Sequence, residues 1–325
     1  MKFKFSLICM LFSIALFAQQ KEFRAPSVPL VTHDPYFSIW SPADRLYDRE
    51  TVHWTGTNHP LHCLLRIDGK TYRVMGQYPS NLIPLKQKSV AVYPTQTIYS
   101  FANEQVRLDM TFTSPLLVSD LDLLSRPVTY ITWEIKSADG REHNVQLYID
   151  CSGETAVNSP EQEIVWSVPS IKGQNALRIG SKEQQILGKS GDNLRIDWGY
   201  AYLSSIAAQK VLTSVAPKDE MQKEFINSGK AAKLVDTKGP RKVSDGYFAM
   251  GASMDLGVVG AKPVRRWMML GYDDLYSIRY FDSDLRPWWR RNGMDMEQLL
   301  VKAADEYETV IGKCEKFDSE LMKDL

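Results

Sequence analysis

The sequence predicts a mainly β protein, a large antiparallel β-sandwich followed by one long C-terminal α-helix. Three observations carry that expectation. Short β-rich runs closed by turn residues succeed one another from about Leu61 to Trp198, and many short strands without intervening helices pack as two sheets. One of these runs, Val106–Thr113, alternates apolar and polar residues strictly, which places one face on a core and the other in water. Past Asp295 the apolar residues change to a helical spacing of four and three.

The chain opens with Met1-Lys2-Phe3-Lys4, an apolar stretch from Phe5 to Ala18, and the polar run Gln19-Gln20-Lys21-Glu22. Basic start, short apolar core and small residue before a polar run are the parts of a signal peptide. The stretch is shorter than the about 20 residues a membrane span needs. Residues 1–18 are therefore expected to direct export to a periplasmic or extracellular destination. No later segment is continuously apolar for a membrane span, so none is expected. Lysine plus arginine number 39, as do aspartate plus glutamate, which leaves no net field to draw in a nucleic acid. Beyond Cys9 the cysteines are Cys63, Cys151 and Cys314, an odd set that does not read as a disulfide scaffold. Stability must then come from a core.

Residues 19–290 read as one long β region. His62–Ile67, Asp68-Gly69-Lys70 and Thr71–Met75 form a hairpin, Asp-Gly supplying the positive φ of the tight turn. Runs follow at Ser89–Tyr93, Thr97–Ala102, Val106–Thr113, Val128–Ser137, Asn144–Asp150, Glu163–Val168, Ala176–Ile179 and Leu194–Ser204. Ala138-Asp139-Gly140 reads as a second hairpin turn. Lys218–Asn227 reads as a short helix, and the basic stretch Ser228–Val243 as a surface loop. Further strands are expected at Gly246–Leu256 and Val264–Gly271, with Leu275–Phe281 beyond. Over 294–325 a helix capped by Asp295 with Gln298 carries the seam Met296, Leu300, Ala303, Tyr307, Val310, Cys314, Phe317 and Leu321. Such a seam must lie on something. Of the two options, packing along the sandwich or leading into a helical domain absent from this chain, the sequence reading favours the second, because no cap follows.

Two clusters could carry chemistry. In the first, Tyr36, Trp40 and Trp54 lie among four of the five histidines; the aromatics could stack on a flat ligand or close one end of the core. His59, His62 and Cys63 form a conceivable zinc set, but on a strand His62 and Cys63 point to opposite faces, and no metal is expected. In the second, Asp273 and Asp274 precede Asp282, Asp284 and the pair Trp288-Trp289. A glycosidase needs two carboxylates about 5 to 10 Å apart; adjacent Asp residues on a strand diverge, and turn or capping duty is the commoner use. The nucleophile elbow, the phosphate-binding glycine loop and the zinc-protease motif do not occur. No cofactor is expected.

Pro26-Ser27-Val28-Pro29-Leu30-Val31 and Asp34-Pro35-Tyr36-Phe37-Ser38-Ile39-Trp40 resemble the start of the secreted glutaminase A family. Trp54-Thr55-Gly56, Asp68–Gly76, Tyr280-Phe281, Leu285–Trp289, Glu306-Tyr307 and Cys314–Asp318 are similar too. The resemblance implies an amino-terminal β region ahead of a helical domain of the six-hairpin, glycosidase-like kind. It implies hydrolysis of glutamine to glutamate and ammonia outside the cytoplasm, and assigns no catalytic residue. This chain is then expected to be the β region without the helical domain, a non-catalytic part of a hydrolase acting on a small molecule, glutamine or a carbohydrate. A carbohydrate-binding or accessory module is the alternative. Tyr36, Trp40, Trp54, Asp273, Asp274 and Trp288 are its candidates for ligand or interdomain contact.

Overall fold

The computed structural model describes residues 25–231, 235–236 and 238–324; the expected signal peptide lies outside the described residues. The strands are β1 (Val28–Thr32), β2 (Ser38–Ser41), β3 (Leu61–Ile67), β4 (Lys70–Met75), β5 (Gln87–Val92), β6 (Gln96–Ala102), β7 (Val106–Thr113), β8 (Val128–Ser137), β9 (His143–Ser152), β10 (Glu163–Ser167), β11 (Gln174–Ser181), β12 (Tyr200–Ile206), β13 (Leu212–Pro217), β14 (Arg241–Lys242), β15 (Phe248–Val259), β16 (Val264–Asp273), β17 (Ile278–Tyr280) and β18 (Ser283–Leu285). The helices are α1 (Leu121–Leu124), α2 (Lys218–Ser228), α3 (Met296–Asp305) and α4 (Tyr307–Asp324).

Among the described residues a nine-stranded sheet runs β14-β10-β11-β12-β16-β8-β7-β6-β5 and a five-stranded sheet β13-β15-β9-β3-β4, with two-stranded ribbons β1-β2 and β17-β18. All named strand pairs are antiparallel. Alternation explains the core. Leu61, Cys63, Leu65 and Ile67 of β3 and Val145, Leu147, Ile149 and Cys151 of β9 share one buried cluster with Leu108, Met110 and Phe112 of β7 and Ile131, Trp133 and Ile135 of β8. Both large sheets thus turn one face onto a common core, as the period of two in Val106–Thr113 requires. Val106, Leu108, Met110 and Phe112 are buried and Arg107 and Asp109 exposed.

Four expectations are corrected. Ala138-Asp139-Gly140 is no hairpin turn, because β8 pairs with β7 and β16 while β9 pairs with β3 and β15. It carries the chain from one sheet to the other. The Asp139 carboxylate holds the crossing, accepting from Arg141 N at 2.9 Å and Ser137 Oγ at 3.1 Å. The run from Leu194 becomes a strand only at Tyr200, and of Leu275–Phe281 only Ile278–Tyr280 is β. The C-terminal helix is two, interrupted at Glu306, whose carboxylate reaches the buried Arg126 guanidinium at 2.6 Å. The seam nevertheless stays in line, since Glu306 N–H still bonds Lys302 O and Val310 N–H bonds Glu306 O.

The fourth correction concerns what the seam meets. Leu300, Ala303, Tyr307, Val310 and Cys314 pack on Val128, Tyr130, Tyr202, Trp267 and Met269, the outer face of the nine-stranded sheet. Polar bonds fix the register: Tyr130 Oη donates to Ala303 O at 2.9 Å, and the Tyr307 ring lies parallel to Trp267 at 4.1 Å. The capping box of Asp295 and Gln298 is formed. Only the distal end leaves the sheet, where Leu321 and Met322 are exposed.

Candidate functional site

At one end of the molecule four segments meet. The β1-β2 turn brings His33–Phe37; the loop after β2 brings His53, Trp54 and His59; the segment before β12 brings Arg195–Trp198; and the end of β16 brings Tyr272–Asp274. Backbone and ring contacts tie them. Ile196 N–H donates to Tyr36 O at 3.1 Å, and the Tyr36 and Trp198 rings meet edge-on at 5.4 Å. The Trp54 indole N–H donates to Pro35 O at 2.6 Å. Tyr272 Oη donates to Trp198 O at 2.7 Å, while its ring sits 4.3 Å from Phe37. Gly199 makes the close approach possible: at φ +74° a Cβ there would stand 2.0 Å from Asp273 O.

Four carboxyl groups gather here: Asp197 pairs with Lys189 at 2.6 Å, and the other three are each held differently. Asp34 Oδ1 accepts the N–H groups of Tyr36 at 2.7 Å and Phe37 at 3.0 Å. Asp273 accepts Leu275 N–H through Oδ1 and pairs with the Arg290 guanidinium through Oδ2. Asp274 accepts the Ser277 hydroxyl through Oδ2, and its Oδ1 is buried without a hydrogen-bond partner among the described residues. Burial pushes the Asp34 carboxyl up to about 6 against its two backbone bonds. It pushes Asp274 up to about 7, helped by the neighbouring Asp34 and Asp273 and opposed by Ser277 and Arg290. Two carboxyl groups that change charge near neutrality are suited to exchanging protons. Burial lowers the nearby His33 and His59 to about 3 and His53 to about 4, which keeps these rings neutral.

Of the expected site residues, Tyr36, Trp54, Asp273 and Asp274 come together here. Trp40 is half-buried on β2, its indole N–H on Ser38 Oγ at 3.0 Å. Trp288 stands elsewhere, its N–H on Asp122 at 3.1 Å in a groove of about 610 Å³ that Leu117, Asp120, Lys313 and Phe317 also line. The reading missed Asp34 as a member of the cluster, although it stands in the quoted motif Asp34-Pro35-Tyr36. Trp198 and Arg290 carried no sequence signal at all.

A second polar cluster lies beneath α2. His62 points to the outer face of β3 and Cys63 into the core. His62 Nδ1 bonds Asp150 at 2.7 Å, and Nε2 lies 3.0 Å from Glu50 as an ion pair poorly aligned for a hydrogen bond. Tyr148 Oη and Gln222 Nε2 both donate to Asp150 Oδ2 at 2.9 Å. Burial alone would lower the His62 pKa, but Asp150 and Glu50 outweigh it and raise it to about 10. No group of three or more His, Cys, Asp or Glu among the described residues is placed to hold a metal ion. No helix among them is long and apolar enough to cross a membrane.

Residues 95–324 match the model of a family described as a domain of unknown function, DUF5127. The chain belongs to the DUF5127 family. Residues 6–87 match a second domain of unknown function, DUF4964. The boundary between the two matches does not divide the fold, since β3 and β4 from the first complete the sheet of β9, β13 and β15 from the second. The chain is related to curated proteins named as glutaminases. It is 26% identical over 244 residues to glutaminase A of Aspergillus oryzae, covering 73% of this chain and 35% of that protein. It is 26% identical over 200 residues to a probable glutaminase of Arthroderma benhamiae, covering 54% of this chain and 22% of the relative. The chain thus spans about a third or less of the length of these relatives. A candidate kojibiose phosphorylase from the human microbiome overlies 90% of this chain and 35% of its own at a TM-score of 0.44 and 8% identity.

Proposed function

We propose that this chain is the amino-terminal β-sandwich region of an exported glutaminase A-like hydrolase, which releases ammonia from glutamine when a further helical domain completes it. The relationship to glutaminase A across 73% of the chain supports the reading most directly. In this reading the acidic end, with exposed Trp54 and half-buried Tyr36 and Asp34, faces the substrate and the helical domain. The test is ammonia release from glutamine. The purified chain is expected to release none, and a longer form that includes downstream sequence is expected to release it. Release by the chain alone overturns the non-catalytic assignment, and a longer form without activity overturns the hydrolase reading.

A second reading rests on exposed indoles. Trp54 is 54% and Trp288 49% exposed, and each offers a flat apolar face with a polar N–H edge of the kind a sugar ring can stack on. Retention on polysaccharide columns that disappears when Trp40, Trp54 and Trp288 are all replaced by alanine supports a carbohydrate-binding module. Retention that survives the triple replacement removes stacking as its cause.

A further inference from the structure

We infer that the groove between α1, the turn at Trp288–Arg290 and α4 binds a neutral pyranose chain, a claim that goes beyond the glutaminase reading and deepens the carbohydrate-binding reading, on which its ligand class rests. The groove measures about 610 Å³, a size that takes small organic ligands. Its apolar lining is Leu117, Leu121, Trp288 and Phe317, and its charged lining comes in ion pairs. The first observation is the indole. Trp288 and Trp289 are neighbours with opposite placements: Trp289 is buried in the cluster of Met296 and Leu300, whereas Trp288 is 49% exposed and joins no buried cluster among the described residues. That exposure is held in place. The Trp288 N–H donates to Asp122 Oδ1 at 3.1 Å, the Arg291 guanidinium lies 4.4 Å from the ring centroid, and Arg291 also reaches Asp122 Oδ1 at 2.6 Å. A flat apolar ring fixed through its polar edge, with exposed Leu121 beside it in the groove, is a platform for the C–H face of a sugar ring.

The second observation is charge balance. Each carboxylate that lines the groove has its own cation: Asp120 has Lys313 at 3.1 Å, Asp122 has Arg291 at 2.6 Å, and Glu320 has Lys316 at 3.8 Å. No unpaired charge is left there to select an anion or a cation. What the pairs do offer is acceptors next to donors. A carboxylate only accepts and an ammonium only donates, whereas a hydroxyl does both, so a polyhydroxylated ligand can use the two members of a pair together. A helix of a partner protein fits less well, because it would lay an apolar stripe into an apolar groove, and these walls are ion-paired. Ring platform, balanced charge and size therefore point to the same ligand class.

Affinity electrophoresis of the purified chain through gels that carry hydroxyethylcellulose, glycogen or galactomannan, with alginate as the anionic control, tests the site. Retardation by at least one of the three neutral polysaccharides and none by alginate is the expected result. Calorimetry with the hexasaccharide of the same backbone should give an affinity that added salt leaves unchanged, since screening acts on charges and the ligand has none. Trp288→Ala should weaken that affinity at least tenfold, while Trp54→Ala leaves it within twofold. Asp122→Ala, which keeps the indole but releases its N–H, serves as the second variant should Trp288→Ala fold poorly, with an expected loss of at least threefold. No retardation by any neutral polysaccharide, or retardation by alginate as strong as by a neutral one, overturns the site. Binding that survives Trp288→Ala but is lost in Trp54→Ala also overturns it, and leaves the carbohydrate-binding reading standing on the other indole. If no polysaccharide is bound and ammonia release by a longer form falls in Trp288→Ala, the groove is a contact between domains and the sugar site is excluded. The glutaminase reading itself is judged by ammonia release from the unaltered longer form, which none of the binding results moves.

Discussion

The two polar clusters, one beneath α2 and one at the acidic end, differ in how completely their central carboxyl groups are matched. Under α2, Asp150 is fully buried and takes His62, Tyr148 and Gln222 on its two oxygens, with Glu50 on the far side of the imidazole. At the acidic end burial is similar but the partners run out, and Asp274 keeps one oxygen unmatched. A buried carboxylate with both oxygens matched, as Asp150 is, fixes a fold, whereas one left partly unmatched, as Asp274 is, is a candidate functional group. The difference sets the first apart as architecture, the pin of α2 on β3 and β9, and leaves the second as the candidate site.

The sharpest way to break that contrast is to unpair the Asp150 cluster. Asp150→Ala leaves a buried imidazolium, a tyrosine hydroxyl and a glutamine amide without their common acceptor. Removing one member of a buried ion pair costs about 3 to 5 kcal/mol, and chemical denaturation should show a loss of that order. A loss below about 1 kcal/mol would mean that α2 is held by its apolar contacts, Met221 and Phe225 on Leu64 and Tyr148, and that the polar network is incidental.

Next in size is Gly199→Ala. The positive φ and the 2.0 Å approach to Asp273 O cannot both survive a Cβ, and strain of this kind costs on the order of 1 to 3 kcal/mol. Because the atom displaced belongs to Asp273, the change should also loosen its Arg290 pair. Thermal melts should show the loss of stability, and a crystal structure of the variant should show a shifted Asp273. An unshifted Asp273 would mean that the end of β16 is not held by this contact.

How much of this was legible in the sequence follows from the range of the forces involved. Strands such as Val106–Thr113 and Val128–Ser137 were read to the residue because alternation is local. Asp295 and Gln298 announced their own capping box for the same reason. Partner choice is not local: nothing in Ala138-Asp139-Gly140 distinguishes a hairpin from a step between sheets, since that depends on β16 and β15, more than a hundred residues on. The acidic end was half legible. Asp273, Asp274, Tyr36 and Trp54 stood out as residue types, but that Asp34 joins them depends on the β1-β2 ribbon, a short hairpin whose strands were not singled out.

A smaller effect separates the clusters by pH. A carboxyl whose pKa rises on folding destabilises the folded state once it must ionise. For Asp274, raised from 3.8 to about 7, stability is therefore fully present below about pH 4 and declines as pH rises to about 7. For His62, raised from 6.5 to about 10, the stabilising contribution is fully present below about pH 6.5 and is lost as pH rises through about 10. Asp274→Asn cannot ionise, so its Tm should match the parent near pH 4 and exceed it at pH 8, while the decline above pH 8 remains. Equal Tm differences at pH 4 and pH 8 would show that Asp274 does not titrate in this window and would erase the contrast.

The smallest expected effect is that of Trp54→Ala. Its indole is 54% exposed and makes a single hydrogen bond to Pro35 O, and exposed substitutions away from packed features change stability by about 0.5 kcal/mol or less. One neutral hydrogen bond adds about 0.5 to 1.5 kcal/mol to that. The melting temperature should therefore move little. A stability loss of about 2 kcal/mol or more would place Trp54 with the Asp150 cluster as architecture instead, clamping the β1-β2 turn through Pro35.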